Sequence, residues 1–133
     1  MNWPSVLGLQ FENLVLQNRS AIYEHLGLSP YDIECDGPYT QYKTVEQHGC
    51  QIDYLIQDRF STLYVCEIKF SQNPIGVSVV DTFEQKIKHL KVPKHVSFRP
   101  ILIHANEITQ DLSSRSYFYK IIDFSQMLRS KMQ

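Results

Sequence analysis

Apolar residues recur at Leu7, Phe11, Leu14, Val15, Ile22 and Leu26, at helical spacing. They predict a helix that follows Pro4 and Ser5 and stops at Gly27, with Pro30 beyond it. Residues 28–38 are dense in turn formers and predict a loop. Tyr39, Tyr42, Thr44 and Val45 predict a strand over residues 39–47. Residues 50–57 and 62–69 form two apolar runs around a short polar turn, hence two strands. After a loop over 71–77, Val79, Phe83, Ile87 and Leu90 mark the stripe of a second helix over 78–91. Ser78 and Asp81 suit a capping box at its start, and Pro93 ends it. Lys86, Lys88, Lys91 and Lys94 fall outside that stripe. A strand over 99–105 follows, and residues 117–131 predict a short strand and a last helix. The order is helix, three strands, helix, strand, then a small strand–helix addition. It implies an α/β fold with a mixed sheet and helices on both faces.

Length and composition narrow the picture. The 133 residues suit one domain spanning 1–133, with 43% hydrophobic and 20% charged positions. Thirteen basic residues against 14 acidic give a net charge of -1, so any surface for nucleic acid must be local. Cys35, Cys50 and Cys66 are odd in number and lack metal-site spacing, which fits a reducing cytoplasm. No apolar run has membrane-spanning length and the start lacks a signal-peptide pattern, so no membrane partner is expected. The five histidines show no pairing four residues apart and imply no zinc, although His48 lies near the first of the paired strands.

The chemistry concentrates in CQIDYLIQDRFSTLYVCEIKF, residues 50–70. Asp53, Glu67 and Lys69 stand inside strands that otherwise want burial, where charge is costly. A three-residue loop, Arg59 to Ser61, sets Asp58 opposite Thr62. It follows that Asp53 faces Glu67 and Gln51 faces Lys69, all on one side of the hairpin. Cys50, Ile52, Tyr54 and Ile56, with Phe70, Ile68, Cys66 and Tyr64, then form an apolar opposite side. Two carboxylates so close require a shared proton or a cation. A hard divalent ion, Mg²⁺ or Mn²⁺, prefers such oxygens. Lys69, beside them, suits stabilisation of a phosphorane-like charge or handling of an attacking water.

Asp53 followed by Glu67-Ile68-Lys69 after a short hairpin resembles the PD-(D/E)XK signature of restriction-endonuclease-like nucleases. The likeness covers roughly residues 5–105, including the element order. The stretches LGLQFENLVLQN, CQIDYLIQD and LYVCEIKFSQNPIGV are similar to the nuclease-like C-terminal domain carried by a group of prokaryotic P-loop ATPases. The resemblance implies a restriction-endonuclease-like core and metal-dependent DNA hydrolysis, DNA being favoured over RNA. It implies a metal held by Asp53, Glu67, the Ile68 carbonyl and Glu12, with Lys69 as base or stabiliser. By analogy a P-loop ATPase partner and a homodimer are expected. Two departures stand out: Ile52 occupies the position of the motif's proline, and no Gly-x-x-x-x-Gly-Lys-Ser/Thr loop is present.

Plainer alternatives stand beside these readings. Glu67 and Lys69 could form a structural ion pair with Asp53 hydrogen-bonded nearby. Glu12 could be an exposed helix residue. Lys86, Lys88, Lys91 and Gln51 are candidates for contacting nucleic acid, or else ordinary solvated surface. The domain as a whole could be a catalytically silent binding or interaction module.

Overall fold

The computed structural model describes residues 3–132, and side chains from 6 to 129. Five strands run in sequence order across one sheet: β1 (Ile33–Gln41), β2 (Cys50–Asp58), β3 (Thr62–Phe70), β4 (Ser97–Ala105) and β5 (Lys120–Asp123). The first three form an antiparallel meander; β4 and β5 then add in parallel. Helices α1 (Trp3–Leu16), α2 (Arg19–Leu26), α3 (Ser78–Ile87), α4 (Gln110–Arg115) and α5 (Ser125–Met132) complete the chain. Helices α3 and α4 lie on the crossovers that parallel neighbours require.

Two apolar layers sandwich the sheet. Phe11, Leu14 and Val15 of α1 and Ile22 and Leu26 of α2 pack on Tyr54, Ile56, Tyr64, Cys66, Ile101 and Ile103. On the other side Val79, Val80 and Phe83 of α3 and Leu112 of α4 pack on Cys50, Ile52, Leu63, Val65 and Leu102. No helix among the described residues is long and apolar enough to cross a membrane.

The hairpin follows its loop chemistry. Asp58 Oδ1 accepts the N–H groups of Phe60 and Thr62, both at 2.9 Å. Ser61 takes φ 62° in the turn. The register runs Gln57↔Leu63, Ile56↔Tyr64, Leu55↔Val65 and Tyr54↔Cys66, as the loop length implies.

Several expectations are corrected. The first helix is two helices, broken at Asn18, whose Nδ2 donates to the Leu14 carbonyl at 2.6 Å. That side chain competes with the helical ladder, a habit of asparagine. Helix α1 takes in Pro4 and Ser5, and a proline in a first turn has no partner to lose. Most of the expected loop over 28–38 is β1, and the strand expected over 39–47 stops at Gln41. The edge strand β1 buries only Gln41, so it leaves no apolar alternation to read, and it tolerates Pro38. Ser78 does not cap α3; Val77 stands at the N-cap without a side-chain bond. The short α4 had no periodic signal.

Candidate active site

The site begins with an extra residue in β2. Between Gly37↔Leu55 and Tyr39↔Ile52, β1 advances two positions while β2 advances three. Such a bulge reverses the alternation of side chains on one strand. Tyr54 and Ile56 therefore point toward α1, whereas Ile52 and Cys50 join the α3 side. The expected pairing of Ile52 with Ile68 and Cys50 with Phe70 on one apolar face does not form.

Beyond Tyr54↔Cys66 the ladder between β2 and β3 ends. The N–H of Ile68 donates instead to Asp53 Oδ2 at 2.8 Å. A carboxylate thus replaces the missing strand partner and keeps a β3 amide satisfied where the seam opens. In an extended strand a residue's N–H and C=O face the same edge, so the Ile68 carbonyl also faces this opening.

Glu67 comes to the same place from β3, and Lys86 reaches it from the last turn of α3. Lys86 Nζ lies 2.9 Å from Glu67 Oε1 and 3.6 Å from Asp53 Oδ1. The Glu67 side chain is 9% exposed, that of Asp53 18% and that of Lys86 30%. Burial, and then the adjacent Asp53, push the Glu67 carboxyl from 4.5 up to about 7, against the pull of Lys86. Burial alone would lower the Lys86 ammonium, but Glu67 and then Asp53 outweigh it and hold it above its ordinary value. Glu12 lines the same cleft from α1; burial and then Asp53 raise its carboxyl, with Lys86 opposing. Helix α1 packs on the Tyr54 side of the sheet and yet delivers Glu12 to the opened seam.

Lys69 is exposed on the cleft wall and makes no hydrogen bond or ion pair among the described residues. Its neighbour on β4 is the buried His104. The cleft encloses about 390 Å³ between α1, α3 and the parted strands. A larger groove of about 490 Å³ between α1 and α5 is mainly apolar, and among the described residues Arg129 is its one charged lining residue. The clustered acids and lysines lie in the smaller cleft.

Other candidates fall elsewhere. Gln51 pairs with Thr40 on β1 and is exposed; the bulge and the parted strands remove it from Lys69. Lys88 and Lys91 are exposed just past α3, where the Lys91 N–H donates to Gln41 Oε1 at 2.9 Å. Lys86, expected with them on the helix surface, turns inward. Its spacing of three from Phe83 and seven from Val79 was the available signal. His48 stacks on His89 with ring centroids 4.1 Å apart, outside the cleft.

Among the described residues no three His, Cys, Asp or Glu side chains converge into a ready metal cage. The donors that do fit a hard cation are the two carboxylates, with the Ile68 carbonyl edge beside them. A positive group, Lys86 Nζ, already stands within 4 Å of both acids, so the space between them suits a cation.

No protein-family model matches the chain, and no curated protein does. Solved structures align with it, two of them closely enough to share its fold. A repair endonuclease from Pyrococcus abyssi superposes with TM-score 0.50 at 19% identity, over 84% of this chain and 43% of its own. A protein of unknown function, AF1548, superposes with TM-score 0.52 at 18% identity, over 92% of this chain and 66% of its own. The structure of an EndoMS–double-stranded DNA complex aligns with TM-score 0.43 at 17% identity, over 79% of this chain and 41% of its own. The chain thus spans less than two-thirds of each of these neighbours. The fold is the restriction-endonuclease-like α/β architecture that the hairpin motif resembles.

Proposed function

We propose that the protein hydrolyses DNA phosphodiesters with a divalent metal ion, in the manner of PD-(D/E)XK nucleases. The observation that carries this reading is the meeting of Asp53 and Glu67 in an opened strand seam, with Lys69 two residues along β3. The fold shared with a repair endonuclease supports it.

Asp53, Glu67 and the Ile68 carbonyl would hold Mg²⁺ or Mn²⁺, with Glu12 adding an oxygen directly or through water. Such an ion supplies Lewis-acid polarisation of the phosphate and a more acidic water. The protein's own part is positioning and charge. Asp53 is fixed by the Ile68 N–H, so its second oxygen is aimed at the cleft. The Lys69 ammonium, free of internal partners among the described residues, is available to the phosphate oxygens and to the charge that develops on them. Lys88 and Lys91, at the α3 end, would add backbone contacts to DNA.

The test is nicking of plasmid DNA in Mn²⁺ by the wild type, Asp53→Ala and Lys69→Ala. Loss of a member of such a unit typically costs orders of magnitude in rate. Both variants should be inactive, with Lys69→Ala still binding Mn²⁺. A wild type that cuts neither duplex, single-stranded nor branched DNA would replace the nuclease with a silent nucleic-acid-binding or interaction module. The Lys86 ammonium between the acids is the observation on that second side.

A further inference from the structure

We propose that Lys86 is a built-in counterion that occupies the Asp53–Glu67 pair in the metal-free protein and gives way when a divalent cation binds. This rests on the metal-site reading given above.

The ammonium contacts both acids: Nζ is 2.9 Å from Glu67 Oε1 and 3.6 Å from Asp53 Oδ1. These are the only ion-pair partners it has among the described residues. It therefore stands where a cation bridging the two carboxylates would stand. Its charge is too small for the place. Glu12, Asp53 and Glu67 all line this cleft, and among the described residues Lys86 is the one cation paired with any of them. Lys69 lines the cleft without pairing. A divalent ion answers that excess of negative charge better than one ammonium.

The mechanics suit exchange. The α3 backbone is held at this point, because the Cys50 thiol donates to the Lys86 carbonyl at 3.0 Å. The side chain keeps a flexible four-carbon stem and is 30% exposed, so it has a solvent side to move toward. Movement of the side chain alone opens the pair while α3 stays in place. Once displaced, Nζ remains on the wall of the same cleft as Lys69, where it faces an incoming phosphate.

The experiment is titration of Mn²⁺ by calorimetry into the wild type, Lys86→Met, Lys86→Gln and an Asp53→Asn control. Thermal unfolding is followed beside it in EDTA and in Mn²⁺. The methionine keeps the stem, and the glutamine keeps a donor for Glu67 should the methionine variant not fold. Removing a like charge from within a few ångströms of the ion should tighten Mn²⁺ binding by about tenfold or more. In EDTA both Lys86 variants should melt below the wild type, and Mn²⁺ should raise their melting temperature more than it raises that of the wild type. A wild type that binds measurably but more weakly than the Lys86 variants supports the exchange; a wild type that does not bind while the variants do overturns it, because the lysine then never gives way. A lysine that merely braced the fold would give equal or weaker affinity on removal. That result, with Asp53→Asn abolishing binding, overturns the exchange and leaves the metal site standing. Absence of Mn²⁺ binding in the wild type and in both Lys86 variants overturns the site and the exchange together.

Discussion

Asp53→Asn separates a working site from a structural brace, because the two roles predict different melting temperatures. The substitution keeps shape and an oxygen that can accept the Ile68 N–H, but removes one charge. Two interactions weaken. The bond to Ile68 loses its charge assistance, worth about 1 kcal/mol. The 3.6 Å contact with partly exposed Lys86 is worth a similar amount at most. Two repulsions are relieved. Raising Glu67 from 4.5 to about 7 sets about 3 kcal/mol against its ionised form. Burial is the larger share and Asp53 the next, so removing Asp53 returns about 1 kcal/mol, with a smaller return from Glu12. The terms nearly cancel. In EDTA the variant should therefore melt within about 4 °C of the wild type.

The balance depends on pH with a definite sign. A carboxyl raised on folding stabilises the folded state least when ionised, so the wild type loses stability as pH rises from 4.5 through about 7. Asp53→Asn lowers the Glu67 carboxyl toward its ordinary value and blunts that loss. The variant should gain on the wild type between pH 5 and pH 8, set on the order of that window. The assay is thermal unfolding by circular dichroism in EDTA across this range, with Mn²⁺ calorimetry at the upper end. A brace would behave otherwise, since breaking a buried pair costs about 3–5 kcal/mol, or more than about 10 °C here. A drop of that size, with no Mn²⁺ binding by the wild type, would refute the reasoning.

Two further predictions address the surroundings. Glu12→Gln should weaken Mn²⁺ binding by about 10–100-fold by calorimetry; an unchanged affinity would leave a centre of two carboxylates. Asp36→Ala removes the acceptor of the Tyr23 and Tyr54 hydroxyls and the partner of Arg19 at 3.4 Å, which together tie α2 to the sheet. It should cost about 3 kcal/mol of stability by urea unfolding and leave Mn²⁺ affinity unchanged, because neither Asp36 nor its partners line the cleft.

What the sequence determined by itself was whatever local chemistry decides. A three-residue loop whose ends are tied by Asp58 leaves one register for β2 and β3, so Tyr54↔Cys66 and its neighbours were legible. The apolar stripes of α1 and α3 were legible because a helix repeats its face every few residues. Asp53, Glu67 and Lys69 could be singled out because charged residues inside apolar strands need a reason to be there. The tertiary structure decided the rest. The bulge that turns Ile52 and Cys50 to the α3 side is set by pairing with β1, an edge strand with almost no buried residues to announce it. Gln51 left the site for the same reason. Helix α1 brings Glu12 to the seam only because β2 and β3 part there, which no periodicity along α1 contains. The spacing of Lys86 from Phe83 and Val79 sets it at the inner margin of α3, but what it meets there is decided only when α3 is laid across the sheet. Only then do two acids from β2 and β3 lie within 4 Å of its ammonium. Spacing along one chain segment fixes which face a residue occupies, but what waits on that face belongs to other segments and is decided by packing.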